Sequence, residues 1–348
     1  MTRKKRKLIS GGLNSMVIAI LLVAMIVVPA NVSAQGLVYE WSWDTGSDVL
    51  CIDISDGSPT QSEVYVAAGS THNLSLFDGD GNLEWYDDDI QTAEYWAYGN
   101  SHAVAISGNA QYVAVGDING TVHVYNIYGT KLWSRNMGFY PAYSVDVSNP
   151  HALLQWDNYD AFVVSCSGST FYVFNASTGS LLWSRTLTGA GSVINVRISE
   201  NGDWIGVSTN YRRIEFHNNT VPRFHQMVWS YTTTDNIVNL DIGRVGIVVV
   251  AGEDDPSNQG TSNVYEFDAG TDWTWGTLDD QVPRWSRAEP NDIYAVAVSD
   301  SDLVAATYPP FSVISGKTWG DNESEESYYT SSTKIRNWPT GLVCRCHL

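Results

Sequence analysis

The amino-acid sequence predicts an all-β chain built from a four-stranded antiparallel unit repeated along its length. Three observations predict it. Tryptophans recur at near-equal spacing, the same order of strand types recurs between them, and no stretch after residue 35 shows a helical period. The tryptophans are Trp41, Trp85, Trp133, Trp183, Trp229 and Trp285, at intervals of 44, 48, 50, 46 and 56 residues. Three of them close the same phrase: Gly81-Asn-Leu-Glu-Trp85, Gly129-Thr-Lys-Leu-Trp133 and Gly179-Ser-Leu-Leu-Trp183.

Each unit has the same interior. A first strand ends in a small residue: Cys51–Ser55, Val104–Ser107, Ser144–Ser148, Asn195–Ser199, Asn239–Gly243 and Ala295–Ser299. A mostly apolar second strand follows: Val64–Ala68, Tyr112–Val115, Phe162–Val164, Trp204–Val207, Val248–Val250 and Leu303–Ala306. The third ends in an aromatic and a turn-former, as in Phe77-Asp78, Tyr125-Asn126, Phe174-Asn175, Phe216-His217 and Phe267-Asp268. The tryptophan strand is fourth. All are rich in Val, Ile and aromatics and bounded by Gly, Asn, Asp or Ser. Such a unit cannot bury both faces alone, but units stacked radially cover one another and leave only short edges.

The expected fold is therefore a β-propeller of four-stranded antiparallel blades. Leu37–Trp41 reads as a fourth strand with no three strands before it. Pairing it with Phe311–Ile314 closes a ring of six blades. The alternative is seven, with Lys334–Trp338 and Leu342–Cys346 beginning another blade. Trp85, Trp133, Trp183 and Trp229 are expected to be buried and equivalent.

The expected organisation is a signal peptide at 1–34, a repeat domain at 35–325 and a C-terminal tail or incomplete blade at 326–348. Arg3–Lys7 is basic, Met16–Val28 is an apolar run of 13 residues, and Val32-Ser33-Ala34 is a small-residue cleavage site. The run is shorter than the ~20 residues of a membrane span. The expected location is secreted or cell-surface, with no membrane span in the mature chain. The chain has 19 Lys+Arg against 38 Asp+Glu, and without the leader 14 basic residues face the same 38 acids, a net charge of −24. So acidic a surface argues against nucleic acid or anionic lipid. A composition 43% hydrophobic and 12% aromatic excludes disorder. Cys51 and Cys166 fall in apolar strands and read as buried thiols.

The repeat resembles the WD40-like and PQQ-like (quinoprotein-like) repeat propellers of exported archaeal and bacterial proteins. Val104–Ser107, Tyr112–Gly116, Asn119–Asn126 and Gly129–Ser134 carry the resemblance. The aromatic-plus-Asp/Asn ending of the third strand is kept, and the Gly-His pair of WD40 units is absent. The resemblance implies a propeller fold; the expected function is a non-catalytic extracellular or cell-surface module that binds a protein or glycan partner or serves as a scaffold. The enzymatic alternative it implies is a quinone-dependent dehydrogenase-like or glycan-active enzyme.

No catalytic motif stands out and no cofactor is expected. Asp78, Asp80 and Asn82 alternate as oxygen ligands of a calcium loop would, although a tight hairpin explains the same residues. Asp53, Asp146 and Asp241 occupy equivalent places in three first strands, and bond to neighbouring turns or form a ring of carboxylates. Asn73, Asn119, Asn175, Asn218 and Asn322 begin N-x-Ser/Thr motifs, open to glycosylation in an exported chain. Long insertions at 149–160, 217–228 and 268–284 fall on one face. They carry the candidate binding aromatics Trp156, Phe224, Trp273 and Trp275. Tyr95, Trp96 and Tyr98, on the opposite face, form the rival patch.

Overall fold

The computed structural model describes residues 41–55, 64–93, 102–150, 161–220, 226–243, 246, 248–254, 262–269, 275, 282–289, 293, 295–298 and 304–307. The chain divides into two compact units, Met1–Ser42 and Trp43–Leu348, and the described strands all lie in the second.

Six sheets follow one another among the described residues. The first holds β1 (Val49–Ile54), β2 (Tyr65–Ser70), β3 (Leu74–Asp78) and β4 (Leu83–Asp87). The second holds β5 (Val104–Ile106), β6 (Tyr112–Gly116), β7 (Thr121–Asn126) and β8 (Lys131–Asn136). The third holds β9 (Val145–Val147), β10 (Phe162–Ser167), β11 (Thr170–Asn175) and β12 (Leu181–Thr186). The fourth holds β13 (Val193–Ile198), β14 (Trp204–Thr209), β15 (Arg213–Asn218) and β16 (Gln226–Thr232). The fifth holds β17 (Asn236–Ile242), β18 (Val248–Asp254), β19 (Ser262–Asp268) and β20 (Trp285–Glu289). The sixth shows β21 (Ala295–Val298) and β22 (Val304–Thr307). Within each sheet, sequence neighbours pair antiparallel, so each is a meander. The first five are the predicted triplets with their tryptophan strands, and the sixth shows the first two strands of its predicted triplet. Of the closing strands Leu37–Trp41 and Phe311–Ile314, only Trp41 falls among the described residues, where it belongs to no strand; the rest, and the alternative seventh unit, lie outside them.

The hydrophobic core is a series of layers between consecutive sheets. Leu74, Leu76, Val113 and Tyr125 fill the first layer, and Val122, Val124, Val145 and Val163 the second. Val164, Phe171, Val196 and Ile205 fill the third, Ile214, Phe216, Leu240 and Val249 the fourth, and Val250, Val264 and Val296 the fifth. β6 and β10 are buried throughout, because a strand inside the stack is covered on both faces. β8 and β12 are exposed or half-buried at every position except one buried tryptophan, because they stand at the rim. Cys51 and Cys166 are buried and not joined in a disulfide. Burial pushes the Cys166 thiol up to about 12 against a weak contact with the Ser144 carbonyl.

The recurring tryptophan latches each of the first three sheets to the next by a hydrogen bond, whereas Trp229 meets the fifth sheet by stacking on Phe267. Trp85 Nε1 donates to the Ile127 carbonyl at 2.9 Å, Trp133 to the Ala176 carbonyl at 2.6 Å, and Trp183 to Asn219 Oδ1 at 2.9 Å. Each acceptor lies between the third and fourth strands of the following sheet. The glycine of the repeated phrase serves the tryptophan of the preceding unit, not its own. Gly129 (φ +80°) and Gly179 (φ +66°) lie under the rings of Trp85 and Trp133, where a Cβ would come within 2.8 and 2.6 Å of ring carbons. A bulge recurs one residue before the tryptophan. Glu84, Leu132, Leu182 and Val228 are each skipped in the pairing of the third strand with the fourth. The extra residue bends the rim strand and turns the indole inward. Trp133, Trp183 and Trp229 are buried as expected, whereas Trp85 is only half-buried.

Candidate functional site

The first strands carry a repeating position. It is Asp53 in β1, Ala105 in β5, Asp146 in β9, Arg197 in β13, Asp241 in β17 and Ala297 in β21. Each aspartate reaches the following sheet: Asp53 Oδ2 accepts Ile106 N–H at 2.9 Å, Asp146 Oδ2 accepts Ile198 N–H at 2.9 Å, and Asp241 Oδ2 accepts Val298 N–H at 3.0 Å. An aspartate in one sheet thus joins it to the next, and alternate sheets carry alanine or arginine instead. The Arg197 guanidinium is buried, with Nε 3.8 Å from Asp241 Oδ1. A small cavity is lined by Ile52, Asp53, His102, Val104, Ala105, Asp146 and Arg197. It suits a water-sized group, not an organic ligand. The carboxylates therefore act as links between sheets, with a cation of the chain's own among them. Among the described residues no group of three His, Cys, Asp or Glu is placed to hold a metal ion.

Asp78 closes the predicted hairpin: its Oδ1 accepts Asn82 N–H at 2.7 Å and its Oδ2 accepts Asn82 Nδ2 at 2.8 Å. The Asn82 side-chain bond leads the forces holding the Asp78 carboxyl below its ordinary range. Both Asp78 oxygens and the Asn82 amide are thus engaged in the turn, and Asp80 is exposed.

The structure assembles one serine–histidine–aspartate chain. Ser134 Oγ lies 2.9 Å from His123 Nδ1, and His123 Nε2 lies 3.2 Å from Asp117 Oδ2. His123 and Ser134 are a directly opposed pair on β7 and β8. The serine is a repeat position: Ser184, Ser230 and Ser286 stand opposite Tyr172, Glu215 and Tyr265 in the next three sheets. Asp117 also accepts Asn119 N–H and Thr121 N–H, both at 2.8 Å. Burial works against its charge, but the His123 and Thr121 bonds hold its carboxyl below the usual range. The arrangement is a clamp on the β6–β7 turn, made of ordinary cross-strand pairing.

A second buried cluster ties the third sheet to the fourth. Glu215 Oε2 accepts Arg185 Nε at 3.0 Å and lies 3.1 Å from His217 Nε2, while Arg213 Nη2 stands 2.6 Å from Oε1. Burial opposes the Glu215 charge, yet His217 and Arg185 outweigh it and hold the carboxyl low. His217 is fully buried beside Phe171 and Trp183. Burial lowers its pKa, and the Glu215 bond only partly offsets this.

The predicted aromatic patch needs correction. Trp275 is buried, its ring centroid 4.6 Å from that of Phe216 and 5.9 Å from that of Trp229, and its Nε1 donates to the Gly246 carbonyl at 2.6 Å. It packs between the fourth and fifth sheets, because an indole at the end of a long insertion gains more from an aromatic layer than from water. Trp156, Phe224 and Trp273 lie outside the described residues.

Phe139, Tyr140, Tyr211 and Ile118 are exposed at the opposite end of the strands, where second-to-third turns and sheet-to-sheet loops meet, while Trp43, Tyr86 and Tyr128 are exposed singly elsewhere. Phe139 is fully exposed, Tyr140 is 63% exposed, Tyr211 is 70% exposed and Ile118 is 43% exposed. They stand on a firm backbone. Met137 N–H donates to the Gly120 carbonyl at 2.8 Å and Ala142 N–H to the Asp117 carbonyl at 3.0 Å, which pins the 137–142 loop to the β6–β7 turn. Ser167 Oγ donates to the Tyr140 carbonyl at 2.8 Å, and the Tyr140 ring lies over Gly168 (φ +58°) in the β10–β11 turn. The Tyr211 ring lies over Gly191 in the loop between the third and fourth sheets. The result is an aromatic ridge across the second, third and fourth sheets. Phe139-Tyr140-Pro141 in a between-sheet loop was its sequence signal. The rival residues Tyr95, Trp96 and Tyr98 belong to a loop of this same class but lie outside the described residues.

No family model matches the chain, and no curated protein does. Solved structures do. Sqt1 of Saccharomyces cerevisiae, a WD40 propeller protein, is similar over 70% of this chain and 65% of its own, with TM-score 0.52 and 14% identity. The chain thus spans less than two thirds of that structure's length. At this identity the likeness speaks for the fold alone, and 1605 solved chains match, so it singles out no activity. The meander sheets, the layers between them and this likeness together are those of a propeller-like all-β fold.

Proposed function

We propose that this chain is an exported, non-catalytic propeller of six blades that binds a protein partner through the ridge of Ile118, Phe139, Tyr140 and Tyr211. The observation that carries the reading is the exposure of these four large apolar side chains along one face of three consecutive sheets. Exposed aromatics on a rigid backbone supply contact area at little entropic cost. The acidic composition directs the partner choice away from nucleic acid. The basic and apolar leader supports export. Among the described residues no helix is long and apolar enough to cross a membrane.

The test compares the wild-type chain with a Phe139→Ser/Tyr140→Ser/Tyr211→Ser variant in cross-linking capture from the native extracellular fraction. The expected result is a discrete cross-linked protein that the variant loses while keeping wild-type circular dichroism. Equal capture by a folded variant refutes the ridge. Binding on a glycan array that the variant loses would replace the protein partner with a sugar.

A further inference from the structure

We infer that Asn119 is the N-glycosylation acceptor among the described N-x-Ser/Thr motifs. The inference rests on the export reading above only for its biological setting. Transfer to asparagine needs the side-chain amide in solvent and unused by the fold. The Nδ2–C1 bond forms as the C1–O bond to a polyprenyl phosphate or diphosphate carrier breaks. The carrier leaves with the electron pair, and a proton passes from the amide to a base on the transferase. An amide already donating to the backbone, or buried, cannot enter that reaction without unfolding its surroundings.

Four of the five motifs fall on described residues, and the structure separates them. Asn175 is buried, and its Oδ1 accepts Ser177 Oγ, Thr178 N–H and Thr178 Oγ1, each at 2.9 Å. Asn73 is half-buried; its Nδ2 donates to the Thr45 carbonyl at 3.1 Å, and its Oδ1 accepts Ser75 Oγ, the hydroxyl of its own motif. Asn218 is half-buried on β15, and its Oδ1 is closed onto Thr220 N–H and Oγ1 at 2.7 and 2.5 Å. Asn322 lies outside the described residues.

Asn119 differs from all three in its own side chain, although its motif hydroxyl is also engaged, Thr121 Oγ1 accepting Asn136 Nδ2 at 3.2 Å. Asn119 is exposed on the β6–β7 turn, and among the described residues its side chain makes no hydrogen bond. Its backbone is nevertheless held: N–H donates to Asp117 Oδ1 at 2.8 Å, and its carbonyl accepts Asn136 Nδ2 at 3.1 Å. Gly120 follows with φ +76°, backed against the carbonyls of Gly138 and Tyr140. The motif's hydroxyl residue, Thr121, is the first residue of β7, and its N–H donates to the same Asp117 oxygen. The turn thus presents a bare amide on a fixed hairpin. The 137–142 loop seats this turn beside Phe139 and Tyr140, so a glycan here would border the aromatic ridge.

The experiment uses the full chain purified from a host without N-glycosylation. It is incubated folded with a single-subunit oligosaccharyltransferase and a lipid-linked oligosaccharide, and an acceptor peptide in the same tube reports transferase activity. Glycopeptide mapping and intact mass are the readouts. The expected result is one glycan on the Asn119 peptide, abolished in Asn119→Gln and in Thr121→Ala and retained in Asn218→Gln. A folded chain unmodified at Asn119 while the peptide is consumed overturns the inference, as does preferential occupancy of Asn73 or Asn218. Export plays no part in the assay, so a leader that failed to route the chain would leave this result standing.

Discussion

Gly179→Ala tests whether the repeat has been read in the right sense. The added methyl would sit 2.6 Å from Trp133 Cδ2 and 2.7 Å from Cγ, and the backbone at φ +66° is one that L-residues adopt at a cost. The backbone term is about 1–2 kcal/mol. Overpacking against a buried ring adds about 1–3 kcal/mol, for a total of about 2–5 kcal/mol. Gly189→Ala is the matched control: its φ is +73° and nothing lies within 4 Å of the new methyl, so only the backbone term applies. Urea titrations followed by circular dichroism should therefore place Gly179→Ala well below Gly189→Ala. The excess should shrink in the background of Trp133→Ala, because the clash vanishes with the ring. The Trp133→Ala change itself should cost about 3–5 kcal/mol. A coupling energy of at least about 1 kcal/mol in this cycle is expected of residues in contact. If the two glycine variants are equally stable, or the cycle is additive, Gly179 does not seat the preceding unit's tryptophan.

Acid should destabilise the fold in two steps. His217 is held below its ordinary pKa by burial, so the unfolded chain binds the proton first, and stability falls as the pH drops below about 6.5 toward the folded value. Glu215 is held low once its partners outweigh burial, so its contribution is present above about 4.3 and is lost as the pH falls through its folded value. Urea midpoints measured from about pH 7.5 to about pH 2 should show both, the Glu215 step at the acid end, and His217→Gln should flatten the upper step. Asp146→Ala should cost about 1–3 kcal/mol, because it strands the buried N–H of Ile198, and Asp146→Asn should cost less because an acceptor oxygen remains. A loss below about 0.5 kcal/mol in Asp146→Ala would show that water replaces the link.

The strand order was legible because each unit writes it out. The predicted Asn195–Ser199, Trp204–Val207 and Phe216-His217 fall on β13, β14 and the end of β15. Period-two alternation and turn residues act locally, so a sequence shows them. Which residues meet across the sheets was not legible. Gly129 and Gly179 were read with the tryptophans four residues downstream, but they pack under Trp85 and Trp133 of the preceding units. Trp275 sits in a long insertion whose composition suits a surface, and only the aromatic layer of Trp204, Phe216 and Trp229 draws it inward. His217 looked like one of several scattered histidines, because the Phe171 and Trp183 rings that bury it, and the Arg185 that pairs with its neighbour Glu215, come from the preceding sheet. Phe139 and Tyr140 carried a local signal, but their exposure depends on how the 137–142 loop is pinned.

The offset between the written repeat and the packed repeat bears on synthesis. A unit leaving the ribosome holds all four of its strands, yet its rim indole has no seat until the next unit's third strand and turn emerge. Trp85 waits for Ile127, and Trp133 for Ala176. At about 5–20 residues per second, a delay of some forty residues exposes one large aromatic for several seconds. The growing chain thus carries a single unfinished joint at its leading edge, and each newcomer completes its predecessor while opening a joint of its own. Cutting between two sequence repeats would always leave such a joint behind.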